Sequence, residues 1–286
     1  KKRFPVNVIL RKEGRPMKLN SLQLSFVAFC HDKPGITYSL EEESVTIHLE
    51  SIMKKGKLPA GEESNSMEKV TLVGGTSNGD IPSIFLSQEF RFLPVAGKSV
   101  VDIGTNIGDS AIYFATRGAA RVIGLEPFSK NYHLARKNIE LNGLADRVTI
   151  IQAGCSSASS DITINPEQDS STTSQLSGFT GNGGIRIPII SLDDLVTRYG
   201  IEEGSILKVD CEGCEYNAIL SASDKTLRRF SHIQIEYHYG YKNLEERLNS
   251  CGFSVSHTIP KFDPWKLKNR SGDRNRMYVG MIYASQ

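Results

Sequence analysis

The sequence lacks the features that mark a membrane or secreted protein. No apolar run approaches the roughly 18 residues needed to span a bilayer, and the Lys-Lys-Arg start is not followed by the apolar core of a signal peptide. The five cysteines are odd in number and scattered, unlike the disulfide framework of a secreted scaffold. We therefore expect a cytoplasmic protein in a reducing compartment, without a membrane partner.

An excess of one charge is also absent. Lys and Arg number 34 and Asp and Glu 32, giving a formal net charge of +2. Such a balance creates no field strong enough to indicate nucleic acid binding. We expect a small-molecule or glycan substrate; the composition predicts no oligomeric state.

The 286 residues divide into two parts by pattern. Residues 1–95 contain short β-type runs separated by Gly, Pro and charged stretches, which predicts a small, mostly β N-terminal region without an assigned role. From residue 96 to residue 286, apolar runs alternate with amphipathic segments. This alternation is typical of an α/β domain with a Rossmann-like, doubly wound and mostly parallel sheet.

The predicted elements can be given individually. The strands are Val6–Leu10, Val45–Leu49, Val70–Val73, Ser99–Ile103, Arg121–Leu125, Val148–Ala153, Ile206–Asp210, Ile233–Tyr237, Phe253–His257 and Arg276–Ala284. The helices are Ser110–Arg117, Ser129–Leu141, Cys214–Ser221 and Leu244–Ser250. The Ser-, Thr- and Gly-rich stretch Ser156–Gly184 is predicted to be a long loop that is interrupted by one short β run, Asp161–Ile164. No helix separates the last two strands, so the sheet should end in an antiparallel hairpin.

The strongest motif is the turn that follows the strand Ser99–Ile103. Glycines there allow a ligand to approach the backbone, and the next helix offers free N–H groups. A dinucleotide fingerprint starting at Gly104 requires glycines where the chain has Asn106 and Asp109. Asp102 and Asp109 would repel a pyrophosphate but stabilise the ammonium and sulfonium groups of S-adenosylmethionine. The turn therefore favours S-adenosylmethionine over NAD, although Asp109 could instead cap the helix.

A second acidic position supports a nucleoside ligand. Glu126 follows the second strand of the sheet, about 20 residues after Gly104, where a carboxylate is placed to accept hydrogen bonds from two ribose hydroxyls.

Further polar residues follow later strands at the same edge of the sheet. Asp210 and Glu212 follow one strand, and Glu236 and His238 end the next on a common face. We predict Asp210 as the first candidate for a catalytic base, Glu236 and His238 as the next, and Glu212 as a substrate-facing residue. Alternatively, Asp210 and Glu212 are acidic residues at the start of a helix, where the helix dipole stabilises their negative charge. We assign no metal ligand. As a second-ranked alternative to a catalytic base, a divalent ion held by Asp210 and Glu236 would lower the pKa of the acceptor hydroxyl.

Cys211 and Cys214 have the spacing of a zinc half-site or a redox pair. No second Cys pair or suitable His pair completes four zinc ligands. We interpret the spacing as coincidental.

Three segments together resemble a known family. Val101–Gly108, Glu126-Pro127 with Asn138–Gly143, and Leu207–Glu215 resemble the FkbM-type branch of the class I S-adenosylmethionine-dependent methyltransferases, over about Lys98–Phe253. The resemblance implies methylation of a hydroxyl oxygen, often on a sugar. It implies that the turn holds the methionine part of the cofactor, Glu126 the ribose, and Ala153-Gly154 the adenine. The predicted cofactor-binding residues are Asp102, Gly104, Thr105, Asn106, Gly108, Asp109, Ser110, Glu126, Pro127 and Ala153.

Three other functions stay open at this point. They are an NAD-dependent oxidoreductase, an RNA methyltransferase of related fold, and a non-catalytic Rossmann-like binding domain.

Overall fold

The secondary structure alternates between strands and helices over most of the chain. The computed structural model describes residues 5–9, 16–53, 67–77, 80–169, 178, 180, 183–262 and 278–286. The strands are β1 Val6–Ile9, β2 Pro16–Leu19, β3 Ile36–Ser39, β4 Ser44–His48, β5 Lys69–Val73, β6 Ser99–Ile103, β7 Arg121–Leu125, β8 Val148–Ile151, β9 Gly154–Ser156, β10 Ser160–Ile164, β11 Ile185–Ser191, β12 Ser205–Val209, β13 Phe230–Tyr237, β14 Ser254–His257, β15 Lys261–Phe262 and β16 Tyr278–Ser285. The helices are α1 Ser21–Cys30, α2 Leu49–Met53, α3 Asp109–Thr116, α4 Ser129–Leu141, α5 Leu192–Arg198, α6 Cys214–Ser221, α7 Asp224–Leu227 and α8 Lys242–Ser250. Shorter turns of 3₁₀ or π type cover Gly75–Ser77, Pro82–Leu86 and Pro166–Gln168.

Seven strands form the central sheet, in the order β14-β16-β13-β12-β6-β7-β8, and β15 pairs with β16. The pairs β13-β12, β12-β6, β6-β7 and β7-β8 are parallel. The strand β16 runs antiparallel to both of its neighbours. The predicted Rossmann-like sheet and its terminal antiparallel hairpin are therefore confirmed. Because the chain leaves β6 toward β7 and later returns to β12 on the other side, a crevice opens between the carboxyl ends of β6 and β12.

Both faces of this sheet are buried, because alternate side chains of the parallel strands pack into two different cores. Val100 and Ile206 belong to the core that contains α3 and α4, whereas Val101 and Leu207 belong to the core that contains α5–α8. Strands buried on both faces are continuous in apolar residues, which is why they were recognisable in the sequence.

The N-terminal region packs against the first of these faces. Its sheet β3-β4-β5 is antiparallel, β1 pairs with β2, and helix α1 begins with a capping box between Asn20 and Gln23. Phe26 of α1 and Leu72 of β5 lie in the same buried cluster as Ile112 of α3. The sequence did not predict α1.

Helix α4 completes the edge of the small sheet. The Asn142 side chain accepts from the Thr71 N–H (2.9 Å) and donates to the Thr71 carbonyl (2.7 Å). Asn138 makes the equivalent pair with Val73 at 2.7 and 3.0 Å. Two amide side chains thus take the place of a neighbouring strand along β5.

The short β run predicted within the loop, Asp161–Ile164, is confirmed as β10. The strand β10 lies within Ser156–Gly184 and pairs with the unpredicted β11, which in turn pairs with β9. Residues 170–177, 179 and 181–182 of that stretch lie outside the described residues, as do residues 263–277 before β16. Within the described ranges, no helix is both long and apolar enough to cross a bilayer.

Candidate functional site

A cavity of about 670 Å³ lies at the carboxyl ends of the parallel strands, a size suited to a nucleoside-containing ligand. Residues that follow β6, β7 and β12, together with Glu236 near the end of β13, form one wall, and residues of β10 and β11 form another. A third part comes from the N-terminal region, through Leu22, Asp80, Ser83, Ile84, Glu89 and Phe90. The N-terminal region therefore lines the site.

The turn after β6 depends on two glycines. Gly104 has φ +83°, and a Cβ there would lie 1.7 Å from the Asp210 carbonyl oxygen. Only glycine permits this backbone to approach the end of β12 so closely. Gly108 has φ +88° and packs on Ala135 of α4, where a Cβ would lie 3.3 Å from the Ala135 Cβ.

Glu126 connects the turn to the end of β7. Its two carboxylate oxygens accept hydrogen bonds from the backbone N–H groups of Asn106 and Phe128, each at 3.0 Å. The side chain lines the cavity, and its burial raises the pKa of Glu126 to about 8 despite these hydrogen bonds. A ligand that donates hydroxyl hydrogen bonds or carries positive charge would stabilise the ionised carboxylate.

Asp109 is a second buried carboxylate on the cavity wall. Burial, and then the charge of Asp80, raise the pKa of Asp109 to about 8. Gly108 occupies the N-cap position of α3, and Asp109 is the first residue of the helix. The structure therefore does not support the alternative in which Asp109 is the N-cap.

Asp102 differs from the prediction. The side chain is fully buried and is absent from the cavity wall. One oxygen accepts from the Ser110 hydroxyl at 2.6 Å, and the other lies 3.0 Å from Lys208 Nζ. Asp102 and Lys208 are register partners on the neighbouring strands β6 and β12, so their side chains share one face of the sheet. Asp102 therefore fixes Lys208 and Ser110 instead of facing a ligand.

Lys208 links three parts of the site. Its ammonium group donates to the Gly104 carbonyl oxygen at 2.7 Å and lies 3.9 Å from an oxygen of Asp210. Burial lowers the pKa of Lys208, but the charges of Asp102 and Asp210 more than offset this and raise it above its ordinary value. The lysine therefore stays charged inside the protein.

The other predicted cofactor residues divide into two groups. Gly104, Asn106, Asp109, Ser110, Glu126, Pro127 and Ala153 line the cavity. Thr105 and Gly108, like Asp102, do not. The Thr105 hydroxyl donates to the carbonyl oxygen of Asp102 at 3.1 Å, inside the turn, and Gly108 faces α4.

The four polar residues predicted at the ends of β12 and β13 come together. Asp210, Glu212 and Glu236 line the cavity. His238 is not on the wall but lies behind it, with Nε2 3.5 Å from Glu212 and 4.0 Å from Asp210. Ligand atoms of Asp210, Glu236 and His238 all lie within 4.8 Å of one another.

Glu215 orients the histidine. This fully buried carboxylate accepts from the backbone N–H of His238 at 3.1 Å and contacts its ring Nδ1 at 2.9 Å. Burial lowers the pKa of His238, but the hydrogen bond and charge of Glu215, with Glu212 and Asp210, raise it to about 9. Burial, and then the charge of Asp210, raise the pKa of Glu236 well above its ordinary value.

Cys211 and Cys214 form a disulfide at the start of α6, with a Cα–Cα distance of 5.5 Å. The prediction that their spacing is coincidental is therefore wrong. Glu212 and Gly213 between them have φ +56° and +118°, a turn that brings the two cysteines together. Cys30, Cys155 and Cys251 are free and buried.

Some residues of the site carried no usable signal in the sequence. Asp80 and Glu89 lie in the N-terminal region and reach the cavity only through tertiary packing. Burial, and then the charges of Asp210 and Asp80, raise the pKa of Glu89 to about 7. Lys208 and Glu215 stand in the motif that carries the family resemblance, and that motif was the signal that could have identified them.

Comparisons with known proteins place the chain in a family. Residues 102–255, more than half of the chain, match the methyltransferase FkbM domain. The chain is 29% identical over 159 residues to the hexuronic acid methyltransferase AglP of Haloferax volcanii, covering 55% of this chain and 64% of that protein. It is 32% identical over 98 residues to a ribosomal protein L11 methyltransferase of Carboxydothermus hydrogenoformans, covering 34% and 32%.

Solved structures overlap it partially. The crystal structure of methyltransferase FkbM from Methylobacillus flagellatus has a TM-score of 0.45 and 16% identity, covering 71% of this chain and 47% of that chain. The chain thus spans less than two thirds of the length of each of these three relatives. The assignment rests on the domain match: this chain belongs to the FkbM methyltransferase family.

Proposed function

We propose that the chain is an S-adenosylmethionine-dependent methyltransferase that methylates a hydroxyl oxygen of a small molecule or glycan. The observation that carries this proposal is the charge of the cavity. Among the acidic and basic side chains on its described wall, eight are carboxyl groups and one is a lysine. That lysine, Lys208, is already paired with Asp102.

These charges distinguish between two classes of cofactor. A pyrophosphate would meet Asp109 and Glu126 with no available cation on the described wall, which is unfavourable in a partly buried site. A ligand with a sulfonium and an ammonium group would instead stabilise these two carboxylates in their ionised forms. The donor set therefore fits S-adenosylmethionine and opposes the NAD-dependent alternative.

Each part of such a cofactor has candidate partners. Bound S-adenosylmethionine supplies an electrophilic methyl group on a positively charged sulfur. Glu126 would accept hydrogen bonds from the ribose hydroxyls, and the backbone of Gly104–Asp109 would hold the methionine part. Ala153, between β8 and β9, would lie beside the adenine.

The acceptor would occupy the remaining space, beside the ends of β12 and β13. Asp210 reaches the cavity and is placed to accept the proton of an acceptor hydroxyl as the oxygen becomes methylated. Holding that oxygen in line with the methyl group is the larger contribution that the protein makes. Glu236 and His238 adjoin Asp210 and would help to orient the acceptor.

Two observations support a polyhydroxylated acceptor. The wall carries hydroxyl and amide groups that suit sugar hydroxyls, including those of Ser83, Ser160 and Asn217. The similarity to a hexuronic acid methyltransferase, over 55% of this chain, agrees with a glycan substrate.

Calorimetry with S-adenosylmethionine and NAD tests the cofactor. We expect the chain to bind the first and not the second, and Glu126→Ala to weaken binding by about 1–3 kcal/mol. Glu140→Ala, on the exposed side of α4, is the matched control and should leave binding unchanged. Tight NAD binding without a response to S-adenosylmethionine would refute the proposal.

A labelled product tests the acceptor atom. Cofactor carrying a deuterated methyl group is incubated with the chain and a cell extract, and labelled products are identified by mass spectrometry. A methyl ether withstands mild alkali, whereas a methyl ester is hydrolysed. We expect a label that is stable to alkali; a label found only on nitrogen or in an ester would contradict methylation of a hydroxyl.

A further inference from the structure

We propose that Asp210, Glu236 and His238 bind one divalent cation at the wall of the cavity. The three residues come from the ends of two neighbouring strands, and their ligand atoms lie within 4.8 Å of one another. That spacing suits a single ion, because an ion at the centre contacts each atom at about 2.0–2.2 Å after a small adjustment of side chains.

The position of His238 supports this proposal independently of the two acids. Its side chain is 4% exposed, and its Nδ1 is held at 2.9 Å by the fully buried Glu215. Because a carboxylate only accepts, Nδ1 carries a proton and donates it to Glu215, and Nε2 is the nitrogen left to bind an ion, which displaces the Nε2 proton on binding. This Nε2 faces two carboxylates at the cavity, Glu212 at 3.5 Å and Asp210 at 4.0 Å. A histidine whose second nitrogen binds a buried carboxylate is the usual arrangement around a protein-bound metal ion.

The ligand set also indicates the class of ion. Two carboxylates neutralise the charge of a dication, and two oxygen donors with one imidazole suit Mn²⁺ or a similar first-row ion. Asp210 and Glu236 line the cavity, whereas His238 lies behind the wall. The ion would therefore be held on one side and would keep open coordination positions toward the cavity.

The role of this cation rests on the proposed function, although its binding does not. An acceptor hydroxyl on an open position would have a lowered pKa and a fixed orientation toward the methyl donor. Its proton would pass to a carboxylate outside the ligand set, and Glu212 and Glu89 both line the cavity. With the ion bound, Asp210 would act as a metal ligand, and Glu212 or Glu89 would replace it as the proton acceptor.

Binding of Mn²⁺ to the whole chain tests the site directly. Electron paramagnetic resonance of free Mn²⁺, after treatment of the protein with chelator, should show saturable binding of one ion per chain. Glu236→Gln and His238→Ala should each weaken it at least about tenfold, the lower end of the loss seen even for supporting residues of metal sites. Glu140→Gln, an exposed acid on α4, is the matched control.

A second measurement guards against variants that do not fold. Mn²⁺ should raise the melting temperature of the unsubstituted chain and of Glu140→Gln, but not that of Glu236→Gln. Absence of saturable binding to the unsubstituted chain, or equal binding by the ligand variants, would overturn the proposal. Calorimetry with S-adenosylmethionine on the same samples separates the two proposals. If the chain binds the cofactor but not Mn²⁺, only the cation site is rejected. If it binds Mn²⁺ but not the cofactor, the proposed function is rejected.

Discussion

Removing the Lys208 ammonium group should be among the most damaging single changes in this protein. The group is 3% exposed and lies 3.0 Å from Asp102, which is itself fully buried. In Lys208→Met the carboxylate of Asp102 would keep the Ser110 hydroxyl at 2.6 Å but lose its counter-charge. The Gly104 carbonyl oxygen would lose its donor at 2.7 Å as well.

Breaking one side of a buried ion pair costs about 3–5 kcal/mol, because the other charge is left uncompensated. We therefore expect Lys208→Met to lower the free energy of unfolding by that amount, measured by urea denaturation followed by circular dichroism. The double variant Asp102→Asn with Lys208→Met should lose less than Lys208→Met alone, because the unpaired charge is gone. Lys225→Met, at an exposed position, should change stability by no more than about 0.5 kcal/mol. A loss below about 1 kcal/mol for Lys208→Met would show that the pair does not hold the turn as described.

Three further predictions concern the turn, the ribose site and the cysteines. Gly104→Ala should lower stability by more than Gly143→Ala does. Both glycines have positive φ, but only at Gly104 would a Cβ meet backbone, 1.7 Å from the Asp210 carbonyl oxygen. Equal losses of stability in thermal unfolding would contradict the close approach. Burial raises the pKa of Glu126 from 4.5 to about 8 in the folded protein. Between these two pH values the folded state holds a proton that the unfolded state has released, so the free energy of unfolding of the ligand-free protein falls as pH rises. Affinity for S-adenosylmethionine should correspondingly rise between pH 6 and pH 8, by up to about tenfold per unit, and Glu126→Gln should flatten the slope in calorimetry. Alkylation of the denatured, unreduced chain should modify the three free cysteines, and all five after reduction; five modified cysteines without reductant would exclude the disulfide.

The central sheet was readable from the sequence because its strands are buried on both faces. The apolar runs at β6, β7, β12 and β13 alternate with amphipathic segments, and this local pattern suffices to identify them as strands of an α/β domain. Helix α1 was missed because Phe26, Val27 and Cys30 are buried within a short segment that is apolar almost throughout. Such a segment has no clear helical period.

The site was predictable only where a residue follows a recognisable strand. Glu126, Asp210 and Glu236 all do, and all three line the cavity. Asp102 also ends a strand, but its direction is decided by Lys208 on the neighbouring strand, a contact between residues far apart in sequence. Asp80 and Glu89 belong to a region whose docking on α4 no local pattern reveals. The disulfide depends on the left-handed turn at Glu212, which the spacing of the cysteines alone did not indicate.

A crystal structure of the chain with S-adenosylhomocysteine tests the central claim most directly. That claim is that the cavity at the carboxyl ends of β6 and β7 holds the cofactor, with both ribose hydroxyls on Glu126 and the amino acid part along Gly104–Asp109. We predict hydrogen bonds of about 2.6–3.0 Å between the ribose oxygens and the Glu126 carboxylate. A ligand bound elsewhere, or one whose ribose points away from Glu126, would contradict the account.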